Sequence, residues 1–363
     1  MGHETCTAGF HKEGRLFLRG ECMLPQYALT DLYRKDTDHR IPDFLLEAVD
    51  TGILQRIGHI GMNCGCEYTS FERFRNGRHY TRLSHSLGVS MIVWKHTGDP
   101  AQAMAGLLHD IATPVFAHVI DFLKGDYLKQ EATEKGTAEM ISHSQELQKV
   151  LEKYGLKTEQ VSNYHLYPIA DNESPCLCAD RLEYTLGNTY FFEYASLAEI
   201  EELYADVHVG KTEDGKVELV FQHPEQAERF GYLGLKCSEV YVSDEDRYSM
   251  QALSEIVGMA IRQHVLSEKD LYGTEDRVTE VLSSSPQTQA QWKWFCCLNR
   301  IERAAEPGEH GRWRCIKAKK RCIDPWIENA GRLSRISARF SDALTAFQSA
   351  SQEDWLRGYS EGR

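Results

Sequence analysis

The sequence predicts a mainly α-helical protein with a small β-hairpin and a C-terminal α/β extension. Three observations predict it. Apolar residues recur at helical spacing from about Ile41 to Tyr190. One segment, Asp206–Phe221, alternates instead around an Asp-Gly turn. Helical patterning then resumes at Pro224 and runs to Ser283.

Taken in order, a short strand pair is expected around Arg15–Glu21. Asp43-Phe44-Leu45-Leu46, Val49, Ile53 and Leu54 keep helical spacing, interrupted by Thr51-Gly52. Over Tyr80–His96, Leu83, Leu87, Met91 and Trp94 fall on one helical face. Asp99-Pro100 is a helix start, an N-cap followed by Pro at the first helical position. That helix runs through Ala101–Asp110, and Pro114 stops it by removing a backbone donor. Val207–Val209 and Val217–Phe221 form the hairpin. Ser283–Pro286 marks a loop. No internal repeat is visible. The expected divisions are an N-terminal extension (1–40), a core (41–200), the hairpin with helical continuation (201–286), and a C-terminal helical region with a basic strand (287–363).

The net charge of −13 over 363 residues disfavours broad binding to nucleic acid or to an anionic membrane, which both need a basic surface. It leaves room for an anionic substrate in a locally positive pocket. No apolar run is long enough to cross a bilayer, and the N-terminus lacks an apolar signal core, so the expected compartment is the cytoplasm. Eleven cysteines make an odd number for a disulfide framework. Cys64/Cys66 and Cys176/Cys178 are Cys-x-Cys pairs without the spacing of zinc knuckles, and reduced thiols are expected.

The chemistry concentrates in three segments. His109-Asp110 ends an apolar helix between Leu107-Leu108 and Ile111-Ala112. An ionised Asp buried there costs several kcal/mol unless it is paired or coordinates a cation. Imidazole with carboxylate suits a borderline divalent ion such as manganese, iron, nickel or zinc. Arg82 lies three residues before His85 on one helical side, where a substrate phosphate would separate it from a metal. Asp180, Glu183 and Tyr184 share a helical face, and Arg181 offers another phosphate contact.

Arg-x-x-His-Ser-Leu-Gly-Val, Leu-His-Asp-Ile, Phe-x-His and Asp-Arg-x-x-Tyr, in that order from Leu54 to Asn188, resemble the HD-domain metal-dependent phosphohydrolases. The nearest branch is that of the deoxynucleoside triphosphate triphosphohydrolases. The resemblance implies an HD-domain helical bundle. It also implies one divalent ion (Mn, Fe, Ni, Zn or Mg) held by His85, His109, Asp110 and Asp180. Arg82 and Arg181 would hold phosphate, Tyr184 would reach substrate, and His118 and Glu134 would stand at catalytic positions. Asp180 or Glu134 would orient or deprotonate the water, and His118 would protonate the leaving oxygen. The alternative for His118 is a capping or core histidine.

Four positions depart from that branch. Thr133 and Thr113 replace histidines, His59 replaces a glutamine, and Asn188 replaces a sugar-contacting acid. Thr113 and Thr133 then read as phosphate donors, with His118, His59 or Glu134 taking over proton transfer. His143 reads as a surface residue. The Glu-Asp pair of guanosine tetraphosphate hydrolases is absent after His109-Asp110, as are the extra histidines of HD-GYP phosphodiesterases.

The basic stretch Arg312–Cys322 reads as a strand, either approaching a nucleotide phosphate or forming a solvated edge. Two functions follow. One is hydrolysis of a small phosphorylated substrate, a nucleotide above all. The other is a catalytically reduced module that binds a nucleotide as a sensor. Relatives of this type also lead to the expectation of a homo-oligomer, with no membrane or nucleic-acid partner.

Overall fold

The computed structural model describes residues 15–18, 22–25, 27–35, 39–75, 78–125 and 136–360. It is mostly helical with small sheets. Strand β1 (Arg15–Leu18) pairs antiparallel with β2 (Cys22–Pro25), so the N-terminal pair extends further than its sequence signal. Helices α1 (Ala28–Arg34), α2 (Asp43–Val49) and α3 (Gly52–Ile57) follow. The break before α3 falls at Thr51, whose hydroxyl donates to the Ala48 carbonyl at 2.6 Å and so ends α2.

Helix α4 (Arg82–Thr97) is capped by Thr81, whose hydroxyl accepts from the Ser84 N–H. Helix α5 (Pro100–Leu108) starts where Asp99-Pro100 predicts, with Asp99 accepting from the N–H groups of Ala101 and Gln102. It ends two residues earlier than expected, leaving His109 at the C-cap and Asp110 in the following turn. Then come α6 (Val119–Lys124), α7 (Thr137–His143), α8 (Gln145–Lys153), α9 (Thr158–Val161), α10 (Ala179–Phe191) and α11 (Leu197–Ala205). The predicted hairpin is β3 (Val207–Lys211) and β4 (Val217–Phe221), in register from Val207 opposite Phe221 to Lys211 opposite Val217. Helices α12 (Pro224–Tyr241), α13 (Asp244–Arg262), α14 (Glu275–Ser284) and α15 (Gln289–Cys296) lead to the C-terminal region. That region holds β5 (Arg300–Ala304), β6 (Trp313–Cys315), β7 (Trp326–Ile327), β8 (Gly331–Arg332), α16 (Leu333–Ile336), α17 (Ala338–Ser349) and β9 (Trp355–Tyr359).

The hairpin belongs to a sheet of order β3-β4-β7-β8, and the C-terminal strands to one of order β5-β9-β6. The strand expected over Arg312–Cys322 is much shorter. Only Trp313–Cys315 is β, because Cys315 already faces Trp355, the first residue of β9, and no further ladder partner exists. The chain continues from Ile316 without regular structure, burying Ile316 and Ala318.

Two apolar clusters form the interior. One joins α1–α5, α10, α12 and α17 around Leu45, Leu87, Leu182 and Phe230. The other gathers Tyr68, Phe116, Tyr248, Leu253 and Phe295. The histidine-bearing ends of α4 and α5 belong to elements of the first, while the loop at Cys64 and helix α13 belong to the second. Among the described residues, no helix is long and apolar enough to cross a membrane.

Helices α4 and α10 approach closely at two glycines. A Cβ on Gly88 would sit 2.6 Å from Glu183 Cγ, and one on Gly187 would sit 2.3 Å from the Tyr80 hydroxyl. Gly88→Ala is therefore expected to overpack this crossing and cost about 1–3 kcal/mol. Urea unfolding measures it, and an unchanged midpoint would show that the two helices can separate freely.

Candidate metal centre

His85 stands one turn into α4, His109 caps α5, and Asp180 lies in the first turn of α10, where the helix dipole favours a carboxylate. Their ligand atoms converge within 4.8 Å of one another. His85 Nε2 is 3.0 Å from Asp180 Oδ1 and 3.2 Å from His109 Nε2, and His109 Nε2 is 3.8 Å from Asp180 Oδ1.

The other ring nitrogens are committed. His109 Nδ1 donates to the Gly106 carbonyl at 2.6 Å, and His85 Nδ1 donates to Glu183 Oε2 at 2.6 Å. Both partners can only accept if Glu183 is ionised, so in neutral rings both Nε2 atoms present lone pairs. Two lone pairs 3.2 Å apart repel unless a cation or a proton lies between them. Without an ion the proton serves. Burial disfavours charge on His85, but the Asp180 and Glu183 carboxylates override it and push its pKa up to about 10. The donor set of two imidazoles and a carboxylate therefore fits a divalent metal.

Glu183 orients His85 from behind. It is fully buried and also accepts from Tyr27 (3.0 Å), Tyr33 (3.3 Å) and Tyr80 (2.5 Å). Burial, and then the facing Glu183 charge, raise the pKa values of all three phenols and keep them protonated as donors.

Asp110 lies at the edge of the trio, with Oδ2 3.7 Å from His109 Nε2. The same oxygen accepts from Arg82 Nη1 at 3.0 Å, and Oδ1 accepts from the Thr113 hydroxyl at 2.9 Å. Burial opposes its charge, yet Arg82 and the two histidines hold its pKa well below the usual carboxylate range. Asp180 is likewise lowered to about 2, with burial opposed by the hydrogen bond and charge of His85.

These groups open into a cavity of about 480 Å³, within the size range of small-molecule sites. Of the sequence-predicted residues, Arg82, His118, Tyr184 and Asn188 line it beside the metal trio and Asp110. Others stand elsewhere. Arg181 is tied to the Cys176 carbonyl, to Asn172 and to Asp171. The helical step from Asp180 to Arg181 turns its side chain to that loop rather than to the cavity. His59 is paired at the surface with Asp276 at 2.8 Å. Thr113 spends its hydroxyl on Asp110 rather than on the cavity. Thr133 and Glu134 lie outside the described residues. His143 is exposed and donates to the Glu139 carbonyl.

His118 follows two residues in left-handed backbone, Phe116 (φ 59°) and Ala117 (φ 45°), a conformation that non-glycine residues adopt only when surroundings enforce it. The buried Glu275 carboxyl enforces it, accepting from the N–H groups of Phe116 and Gly61 and from the Tyr68 hydroxyl. His118 Nδ1 donates to the buried Asp121 at 2.8 Å, and its Nε2 faces Arg321 Nη2 at 3.4 Å. Burial first, with Arg321 and Arg82 adding to it, lowers its pKa despite Asp121.

Several cavity residues lacked a clear sequence signal. Lys319 and Arg321 arrive from the irregular stretch after β6, and only their basic composition hinted at it. Tyr164 and His165 arrive from a 3₁₀ turn. Asp246 lies in the first turn of α13, and burial raises its pKa to about 8.

Residues 82–183 match the HD domain family. The chain is 28% identical to the uncharacterized protein YdhJ of Bacillus subtilis over 308 residues, 81% of this chain and 89% of that protein. It is 24% identical to the metal-dependent phosphohydrolase cns2 of Cordyceps militaris over 254 residues, 68% of this chain and 70% of that one. Its fold resembles a phosphohydrolase from Bacteroides thetaiotaomicron with a TM-score of 0.55 and 14% identity, covering 93% of this chain and 97% of that one. The span that matches the HD domain contains His85, His109, Asp110 and Asp180, and the likeness to the Bacteroides protein is one of fold.

Two predictions follow from the geometry. Glu183→Gln is expected to weaken divalent-metal affinity by about 10–100-fold, as loss of an outer-shell partner does. Titration against a competing chelator measures it, and equal affinities would remove Glu183 from the site. Asp246 carries a folded-state pKa above its unfolded value, so the folded chain keeps that proton longer, and stability falls as pH rises from the ordinary carboxyl range to about 8. Asp246→Asn does not titrate. Relative to wild type it should gain on the order of 1–3 kcal/mol between pH 5 and pH 8, and a pH-independent difference in urea stability would refute the assignment.

Proposed function

We propose that this chain hydrolyses a phosphate ester or phosphoanhydride, above all that of a nucleotide or deoxynucleotide, with one divalent ion held by His85, His109, Asp180 and Asp110. The observation that carries the metal-dependent reading is the pair of inward-facing imidazole Nε2 atoms 3.2 Å apart, closed by Asp180 and set beside a buried arginine.

When bound, the ion supplies Lewis acidity that lowers the pKa of a water and polarises a phosphoryl oxygen. Arg82 faces the cavity and, with Lys319 and Arg321, makes it locally cationic in a protein of net charge −13. These three groups hold the substrate phosphate and neutralise charge as it develops on the phosphoryl oxygens. Phe74, Phe192, Val240 and Met250 line the same cavity together with Asn188 and Asp246. Apolar walls with a few polar groups are what a nucleoside needs, and this supports the nucleotide class. Asn188 is already held by Nδ2, which donates to the Tyr241 hydroxyl at 2.8 Å. The lowered pKa of His118 and the guanidinium at its Nε2 favour a neutral, proton-accepting ring in place of the proton donor expected from its motif.

The test combines elemental analysis with phosphate release from nucleotides, sugar phosphates and cyclic nucleotides. Wild type should hold about one equivalent of metal and release phosphate. Asp110→Ala and Arg82→Ala should each lose about 10²–10³-fold in kcat/KM, as removal of a charge-stabilising group does. If wild type holds no metal and matches Asp110→Ala on every substrate with added metals, the enzyme reading fails.

A further inference from the structure

Two histidines outside the metal trio line the cavity, His118 and His165, and each is paired from behind with an aspartate. Their surroundings differ, and environments that separate two titratable groups assign acid and base roles. His118 donates from Nδ1 to Asp121 and meets the Arg321 guanidinium at Nε2, so that nitrogen is the acceptor and carries no proton to give. A phosphate ester with an alcohol leaving group nevertheless needs a proton on the departing oxygen.

His165 supplies the opposite arrangement. It sits in the 3₁₀ turn Tyr164–Leu166, whose start is fixed by Asn163 accepting from the His165 N–H at 3.2 Å. Its Nδ1 is 2.6 Å from Asp171 Oδ2, and its side chain is half exposed while that of Asp171 is largely buried. With Nδ1 on the Asp171 carboxylate the two groups form an ion pair when the ring holds both protons, and the second proton then sits on Nε2. Arg181 Nη1 stands 3.4 Å from the other oxygen, Asp171 Oδ1, and Cys178 Sγ donates to that Oδ1 as well, which fixes the carboxylate. The His165 ring packs 4.4 Å from Tyr164, and Tyr164 packs 4.9 Å from His109, so the turn is built onto the metal centre. The other acidic and basic groups lining this cavity are Arg82, Asp110, Asp180, Asp246, Lys319 and Arg321, with the imidazoles of His85, His109 and His118.

We propose that His165, positioned by Asp171, is the catalytic proton donor to the leaving alcohol oxygen; this rests on the phosphohydrolase reading above. The water oxygen–phosphorus bond forms as the ester phosphorus–oxygen bond breaks, and the departing oxygen takes the Nε2 proton. One proton of the water stays on the phosphate product, and the other replaces, through solvent, the proton lost from His165. Asp171 acts as a positioning residue.

A series of phosphate monoesters with leaving alcohols from about pKa 7 (4-nitrophenyl) to about pKa 15 (alkyl and nucleoside) separates this role from a structural one. In His165→Asn, kcat/KM should fall by about 10²–10⁴-fold for the alkyl and nucleoside esters and by less than about 10-fold for the 4-nitrophenyl ester. Bound metal and thermal unfolding should match wild type. Asp171→Asn should show the same steepened dependence on the leaving group, to a smaller extent. A uniform loss across the series, or no loss, overturns the proposal. Loss of metal in both variants would also overturn it, since the residues would then be structural. A wild type inactive on every ester but active on a nucleoside triphosphate overturns this proposal alone, and one inactive on esters and anhydrides alike defeats the phosphohydrolase reading itself, and this proposal with it.

Discussion

Glu183 places one carboxylate where no water reaches it, and four donors from two separate stretches of chain, 27–33 and 80–85, close around it. Unpartnered, such a group would be among the costliest in the protein. Partnered, it decides how α4 and α10 meet. The helices can approach only because Gly88 and Gly187 leave room for the carboxylate and the phenols. The same bond that satisfies Glu183 fixes the His85 tautomer and turns its Nε2 toward His109 and Asp180. Core packing and metal-site geometry are thus one constraint.

Charge in the cavity is balanced locally. Arg82 offsets Asp110, Arg321 faces His118, and Asp171 pairs with both His165 and Arg181. Buried like charges are instead kept apart by protonation. Burial pushes the pKa values of Glu67 and Glu275 up to about 7 and about 8, and the latter holds the loop that presents His118. An acidic protein can therefore offer a cationic face to a phosphate without a basic surface.

Much of the site was legible because its chemistry is local in sequence. Arg82 and His85 are one turn apart, His109 and Asp110 are adjacent, and Asp180 and Glu183 are one turn apart. The helices bearing them were marked by Asp99-Pro100, by Thr51-Gly52 and by apolar spacing. Expectations failed where a role depended on direction. Arg181 is adjacent to Asp180, and a step of one residue along a helix turns its side chain to the 171–176 loop. Thr113 follows the motif in register, but its hydroxyl is spent on Asp110.

The sequence by itself determined the helical class, the hairpin and the residues able to bind a metal, since capping, turn chemistry and periodicity act over a few residues. The tertiary structure alone decided what surrounds them. Tyr27 and Tyr33 reach Glu183 across 156 and 150 positions, and Arg321 reaches His118 across 203. No spacing rule encodes such contacts. They follow from how two apolar clusters pack, and that packing brings the turn at His165 and the irregular strand exit at Lys319–Arg321 to the same cavity as the metal trio.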